Sequence, residues 1–239
     1  LPRQNLIICH RGSGDTTKEL ESAGLDDLVA DRERVVSSSR ILLYLVRPQD
    51  RLAIADLTAR RDSLFISFLA GIPLNSLPVP VPDTQRVRVM TSAPDTLLQR
   101  NGIAALYPAA NVLARGMLEA LGLRIISLGK ESDMHAFTAL GPCLPIVLTY
   151  WERAGHKTND KELLRMGDDY GLSDYFPILQ WAHSVKPRQL SPAEADRYLT
   201  QAATPGGVTD SILSAMRAGL DLSAALRKGI GRSQQLAAL

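Results

Sequence analysis

The sequence predicts an α/β half followed by an all-α half, and three observations carry that reading. Short apolar runs alternate with helical stretches up to about residue 130, as in a sheet of parallel strands with helices between them. From Asp133 onward almost every segment has helical spacing. The chain has 239 residues, 45% hydrophobic and 22% charged, enough to bury a core in one large domain or two modest ones.

The first half reads element by element. NLIICH (5–10) is a short strand, and TTKELESAGL (16–25) a helix stopped by Gly24. RILLYLVRP (40–48) is a continuous apolar run closed by proline, which suits a strand buried on both faces. DRLAIADLTARR (50–61) has helical spacing through Leu52, Ile54 and Leu57. SLFISFLAG (63–71) is a second buried strand, QRVRVMTSAP (85–94) a third with Val87 and Val89 alternating, and GIAALYP (102–108) a fourth. An amphipathic helix over 110–122 and a short strand over 124–129 complete this half.

In the second half, residues 134–155 form one apolar helical stretch. Pro142 and Pro145 lie inside it and predict a kink. SPAEADRYLTQA (191–202) opens Ser-Pro-x-Glu, the sign of a capped helix. Two more helices follow over 208–218 and 221–236. The organisation is therefore an α/β domain over 1–130 and a helical domain over 131–239, the latter with enough apolar face to serve as a dimerisation unit.

Composition excludes several functions. A net charge of +2 and 5% aromatic residues argue against a nucleic-acid partner or an anionic membrane. No apolar run reaches the ~18 residues that would cross a bilayer. Two distant cysteines, Cys9 and Cys143, suit a reducing cytoplasm rather than a disulfide framework. The four histidines are scattered, so no metal site is expected.

ILLYLVRPQD, SLFISFLAGIPL, RVRVMTSAP, GIAALYP, AFTAL and TPGGVTDSILSAMRAGL occur in that order, and RSQQL follows. Together they resemble successive blocks of the pyrroline-5-carboxylate reductase family. The resemblance runs over nearly the whole chain, is weakest over 156–190, and is most specific at TPGG. It implies an N-terminal Rossmann-like domain that binds NADPH, or NADH, and a helical domain that forms a homodimer. It also implies hydride transfer to the C=N carbon of a cyclic imine carboxylate, giving proline.

That resemblance nominates residues. Gly206 and Gly207 let backbone approach a ligand, and the helix mouth that follows attracts a carboxylate. The Thr209 hydroxyl matches the family threonine that hydrogen-bonds the ring nitrogen, which makes Thr209 the catalytic candidate. His10, Arg11 and Ser13 fall where a second strand would face the adenosine ribose, and an arginine there suits a 2′-phosphate. Val46, Arg47, Pro48, Ala70 and Gly71 fall at strand ends that would meet the cofactor. Each of these also has a plain structural reading, as a surface arginine, a strand stop or a turn glycine.

Three departures bear on function. A GxGxxG loop is missing, and LPRQNLIICHR matches a point after the family's first helix, so a truncated Rossmann unit is expected. The family's MPNTP is MTSAP here, with Ser92 at the asparagine position. The family's serine-glycine turn is GPCL, which puts Cys143 at the substrate corner. Without a histidine partner in the sequence pattern, Cys143 reads as a small buried hydrophobe rather than a nucleophile. A non-catalytic homologue, or a reductase of another imine or carbonyl compound, stays open beside the first reading.

Overall fold

The computed structural model describes residues 3–46 and 50–238. They group into two units. The first takes the chain through Ser67 together with Leu74–Arg86; the second takes Phe68–Pro73 and the chain from Val87 on.

In the first unit the segment 5–10 is not a strand. Ile8 alone makes a parallel bridge to Val29, through Ile8 N–H to Leu28 O and Ala30 N–H to Ile8 O. Leu6 and Val29 are exposed, so no apolar face rewards a longer ladder. Helix α1 (Gly14–Ser22) is capped by Ser13 and stops before Gly24 at φ +63°. Helix α2 (Arg32–Ser38) is capped by Asp31.

Strand β1 (Ile41–Tyr44) pairs in parallel with β2 (Leu64–Ser67). β2 is buried throughout, but β1 leaves Leu43 47% exposed. The prediction of a strand covered on both faces therefore fails for β1. The predicted helix over 50–61 is a series of tight turns, with Ala53 N–H on Asp50 O and Ala55 N–H on Leu52 O. The Asp50 carbonyl also accepts from Tyr44 Oη and the Ala53 carbonyl from Arg32 Nη1, so side chains hold acceptors that an α-helix would give to its own backbone.

In the second unit β4 (Gly102–Tyr107) lies between β3 (Arg86–Thr91) and β5 (Leu123–Ser127). β5 runs parallel to it, but β3 runs antiparallel, which corrects the all-parallel expectation. The reason is the connection. Only the short helix α3 (Pro94–Leu98) and one turn link β3 to β4, and a parallel return needs a crossover of about a dozen residues or more. The β4–β5 link has room for such a crossover in α4 (Val112–Ala120).

Seven helices complete this unit among the described residues: α5 (Asp133–Leu140), α6 (Leu144–Arg153), α7 (Asp160–Asp169), α8 (Phe176–Val185), α9 (Pro192–Ala202), α10 (Val208–Arg217) and α11 (Leu222–Ala237). The kink expected in 134–155 is a full break between α5 and α6. Gly141 sits at φ −110°, ψ −97°, and a Cβ there would lie 2.8 Å from the Phe137 carbonyl; Pro142 has no N–H to continue the ladder. The cap of α9 forms as predicted: Ser191 Oγ accepts from Glu194 N–H, and the Glu194 carboxylate accepts from Ser191 N–H. Met134, Phe137, Leu140, Leu144, Val147, Ile212 and Leu226 share one core, so the α5–α6 break and the α10–α11 pair are fixed against each other.

Candidate functional site

The turn Thr204-Pro205-Gly206-Gly207 closes on itself and opens α10. Gly207 N–H donates to Thr204 O at 2.9 Å. Gly206 has φ +71°, where a side chain would be strained. Both polar groups of Gly206 are held by side chains: its N–H donates to Asp210 Oδ2 at 2.9 Å, and its carbonyl accepts from Arg232 Nε at 2.8 Å. Sequence reading named neither Asp210 nor Arg232. Asp210 has a local signal, an acid in the first turn of a helix. Arg232 has none, because it meets the turn only through the packing of α11 on α10.

Thr209 is half-buried in the first turn of α10, and its hydroxyl donates to Cys143 Sγ at 3.2 Å. Cys143 is 5% exposed. Burial pushes its thiol up to about 11, with the Thr209 bond pulling the other way, so the sulfur stays protonated at neutral pH. The tertiary structure thus joins two residues 66 apart in sequence. The chemistry follows from the bond's direction. With its hydrogen given to sulfur, the Thr209 oxygen keeps lone pairs to accept from an N–H. That suits a protonated imine, the electrophilic form of a C=N bond. The helix mouth is uncapped by any side chain, but the Asp210 carboxylate stands beside it on Gly206 N–H.

Ser92 is turned inward. It is 4% exposed, its Oγ bonds Thr96 Oγ1 at 2.7 Å and accepts from Ile103 N–H at 3.0 Å. Those bonds fasten the end of β3 to α3 and to β4. Gly71 has φ +77°, and a Cβ on it would lie 2.7 Å from Leu236 Cβ, so the last turn of α11 packs against it. Ala70 packs on the same core.

In the first unit, His10, Arg11 and Ser13 gather at the N-terminus of α1. His10 Nδ1 accepts from Gly12 N–H at 3.1 Å, and Ser13 Oγ accepts from Thr16 N–H. Arg11 pairs with Asp50 at 2.9 Å through Nη1, its side chain 60% exposed. Val46 is half-buried just past β1. Arg47 and Pro48 lie outside the described residues.

A separate polar cluster lies in the second unit. Arg88, 1% exposed, donates through Nη1 to Glu131 at 3.2 Å, while its buried Nε and Nη2 have no partner among the described residues. His135 Nδ1 and Ser233 Oγ are 2.9 Å apart. Burial and then Arg88 hold the imidazole below its usual range. His135 also lines a cleft of about 350 Å³ with Lys130, Asp133 and Asp169, to which the 204–207 turn contributes nothing. Among the described residues no group of His, Cys, Asp or Glu could hold a metal ion, and no helix is long and apolar enough to cross a membrane.

No protein-family model and no curated protein matches the sequence. Solved structures do. The 1-pyrroline-5-carboxylate reductase of Streptococcus pyogenes is 19% identical, with a TM-score of 0.56 over 96% of this chain and 89% of that one. The pyrroline-5-carboxylate reductase of Coxiella burnetii is 15% identical, with 0.55 over 97% and 88%. The Plasmodium falciparum pyrroline carboxylate reductase, solved with NADP bound, is 19% identical, with 0.55 over 98% and 88%. A Rossmann-like α/β N-terminal part followed by helices, matched along almost its whole length, gives this chain the fold of the pyrroline-5-carboxylate reductases.

Proposed function

We propose that this protein is a nicotinamide-dependent reductase of a cyclic imine, with 1-pyrroline-5-carboxylate as the default substrate and proline as product. The observation that carries the reading is the Thr209–Cys143 bond at the mouth of α10, in a chain with the fold of such reductases. The hydroxyl oxygen accepts the iminium N–H, holding the proton on nitrogen while the ring carbon becomes electrophilic. Cys143 fixes the direction of that hydroxyl. Burial keeps the thiol protonated at neutral pH, so it adds no charge beside Thr209.

Residues at the start of α1 fit the adenosine end of a nicotinamide dinucleotide. Arg11 presents an exposed guanidinium paired through Nη1 with Asp50, Ser13 a hydroxyl that caps α1, and the Cβ positions of Gly12 and Gly14 are open space. An arginine at that place favours a 2′-phosphate and hence NADPH over NADH. Bound there, the cofactor supplies the hydride. Ser92 ties the end of β3 to α3, and Gly71 admits the last turn of α11. The same reading carries a homodimer formed through the helices and a cytoplasmic location.

The test is oxidation of NADPH and of NADH by the purified protein with 1-pyrroline-5-carboxylate and a panel of cyclic imines and keto acids. Turnover of the carboxylated pyrroline supports the proposal. Cofactor binding without turnover of any panel member overturns it in favour of a non-catalytic homologue, the reading that the inward-turned Ser92 favours.

A further inference from the structure

We infer that Arg232 is the residue that makes this site select a carboxylate-bearing imine. The inference rests on the proposed reductase reading and names what that site recognises. Three observations lead to it. First, Arg232 Nε donates to the Gly206 carbonyl at 2.8 Å, which brings a guanidinium from α11 onto the turn that opens α10. Second, Nε is the part so used. Nη2 lies 3.7 Å from the position a Gly206 Cβ would take, and neither Nη1 nor Nη2 bonds a described residue. Third, a carboxylate already stands beside the helix mouth, although no side chain caps the first N–H groups of α10. Asp210 occupies the first turn and holds the Gly206 N–H.

The charges decide between the two recognition devices. A substrate carboxylate placed against the first turn of α10 would meet the Asp210 carboxylate, and like charges at close range disfavour binding. A guanidinium beside the same turn offsets that charge and offers N–H donors in the planar fork that matches a carboxylate. Gly206 adds the space: with no Cβ, nothing stands between the turn and the guanidinium nitrogens. Thr209 then meets the ring nitrogen and Arg232 the carboxylate, the two polar ends of one small ring. In the sequence Arg232 opens RSQQL, 26 residues from Gly206.

The test compares two substrates that differ by the carboxylate, 1-pyrroline-5-carboxylate and 1-pyrroline, in wild type, Arg232→Lys and Arg232→Gln. Arg232→Gln is expected to lower kcat/KM for the carboxylated substrate by about 30-fold more than for 1-pyrroline, mostly in KM, the scale of one lost charge-assisted hydrogen bond. Arg232→Lys restores a large part of that preference. An equal fall for both substrates, or no change for either, overturns the inference in favour of a role in holding the turn alone. If the wild type reduces neither substrate, the reductase reading fails. Binding of tetrahydrofuran-2-carboxylate against tetrahydrofuran, followed by NMR, then decides the inference separately. A preference for the carboxylate that Arg232→Gln abolishes supports it; equal binding, or none, overturns it.

Discussion

Thr209 donates its hydroxyl hydrogen to Cys143 Sγ across 3.2 Å, which ties the first turn of α10 to the residue before α6. Under the proposed function this bond aims an oxygen lone pair at the substrate nitrogen. Thr209→Ala is expected to lower kcat about 100-fold or more, the usual scale for removing a group that manages a proton in the transition state. Thr209→Ser keeps the oxygen and should stay within about tenfold of wild type. Steady-state kinetics with matched unfolding curves separates loss of chemistry from loss of fold.

Cys143 sets a pH limit on stability. Its folded pKa is raised from the ordinary 9.0 to about 11. The unfolded chain therefore loses that proton first. The contribution is complete below pH 9, declines as pH rises, and is gone above the folded value, a loss of roughly 2–3 kcal/mol from this group. Urea unfolding from pH 8 to 11 should show the decline, and Cys143→Ala should flatten it. A thiol reagent at pH 8 should titrate exposed Cys9 at once and Cys143 only after unfolding.

His135 works in the opposite direction. Burial and the Arg88 charge hold its folded pKa below 6.5. The unfolded chain takes up the proton first, so this group's contribution is present above pH 6.5 and is lost as pH falls through the folded value. The imidazole resonance should titrate below 6.5, and Arg88→Met should move it upward. Glu131→Gln strands a guanidinium that is 1% exposed, with an expected cost of about 3 kcal/mol in unfolding free energy.

Gly229 and Gly231 give a paired test of the α10–α11 contact. A Cβ on Gly229 would lie 2.4 Å from Ile212 Cγ1, whereas one on Gly231 meets nothing within 4 Å. Both are inside α11. Gly231→Ala should stabilise by up to about 1 kcal/mol through helix propensity. Gly229→Ala gains the same propensity but forces Ile212 to move, and should destabilise by about 1–2 kcal/mol net. Chemical denaturation of the two variants side by side checks the opposite signs.

Much of the fold was legible because its signals are local. The Ser191–Glu194 cap, the stop at Gly24 and the buried runs of β2 and β4 depend on residues within a few positions of one another. Where prediction failed, a distant partner had intervened. Residues 50–57 have helical spacing, yet Arg32 and Tyr44 hold their carbonyls in turns. β3 reads like its parallel neighbours, but strand direction depends on the length of the connection, not on the strand.

The candidate site divides the same way. Thr209, Gly206 and Gly207 could be named from one contiguous motif, and Cys143 from a second. Ser92 could be named too, but its hydroxyl was already taken by Thr96 and the backbone of β4.

By itself the sequence determined the order of most elements, the Ser191 cap, the stop at Gly24 and the glycines of the TPGG turn, since backbone preference and hydrogen bonding act over a few residues. Only the tertiary structure decided that the Thr209 hydroxyl points at sulfur, that Arg232 holds the carbonyl of Gly206 and Asp210 its N–H, and that Arg88 lies buried beside His135. Those relations join helices and strands far apart in the chain. Their distances and charges are set by how apolar faces pack, which no single stretch of sequence specifies.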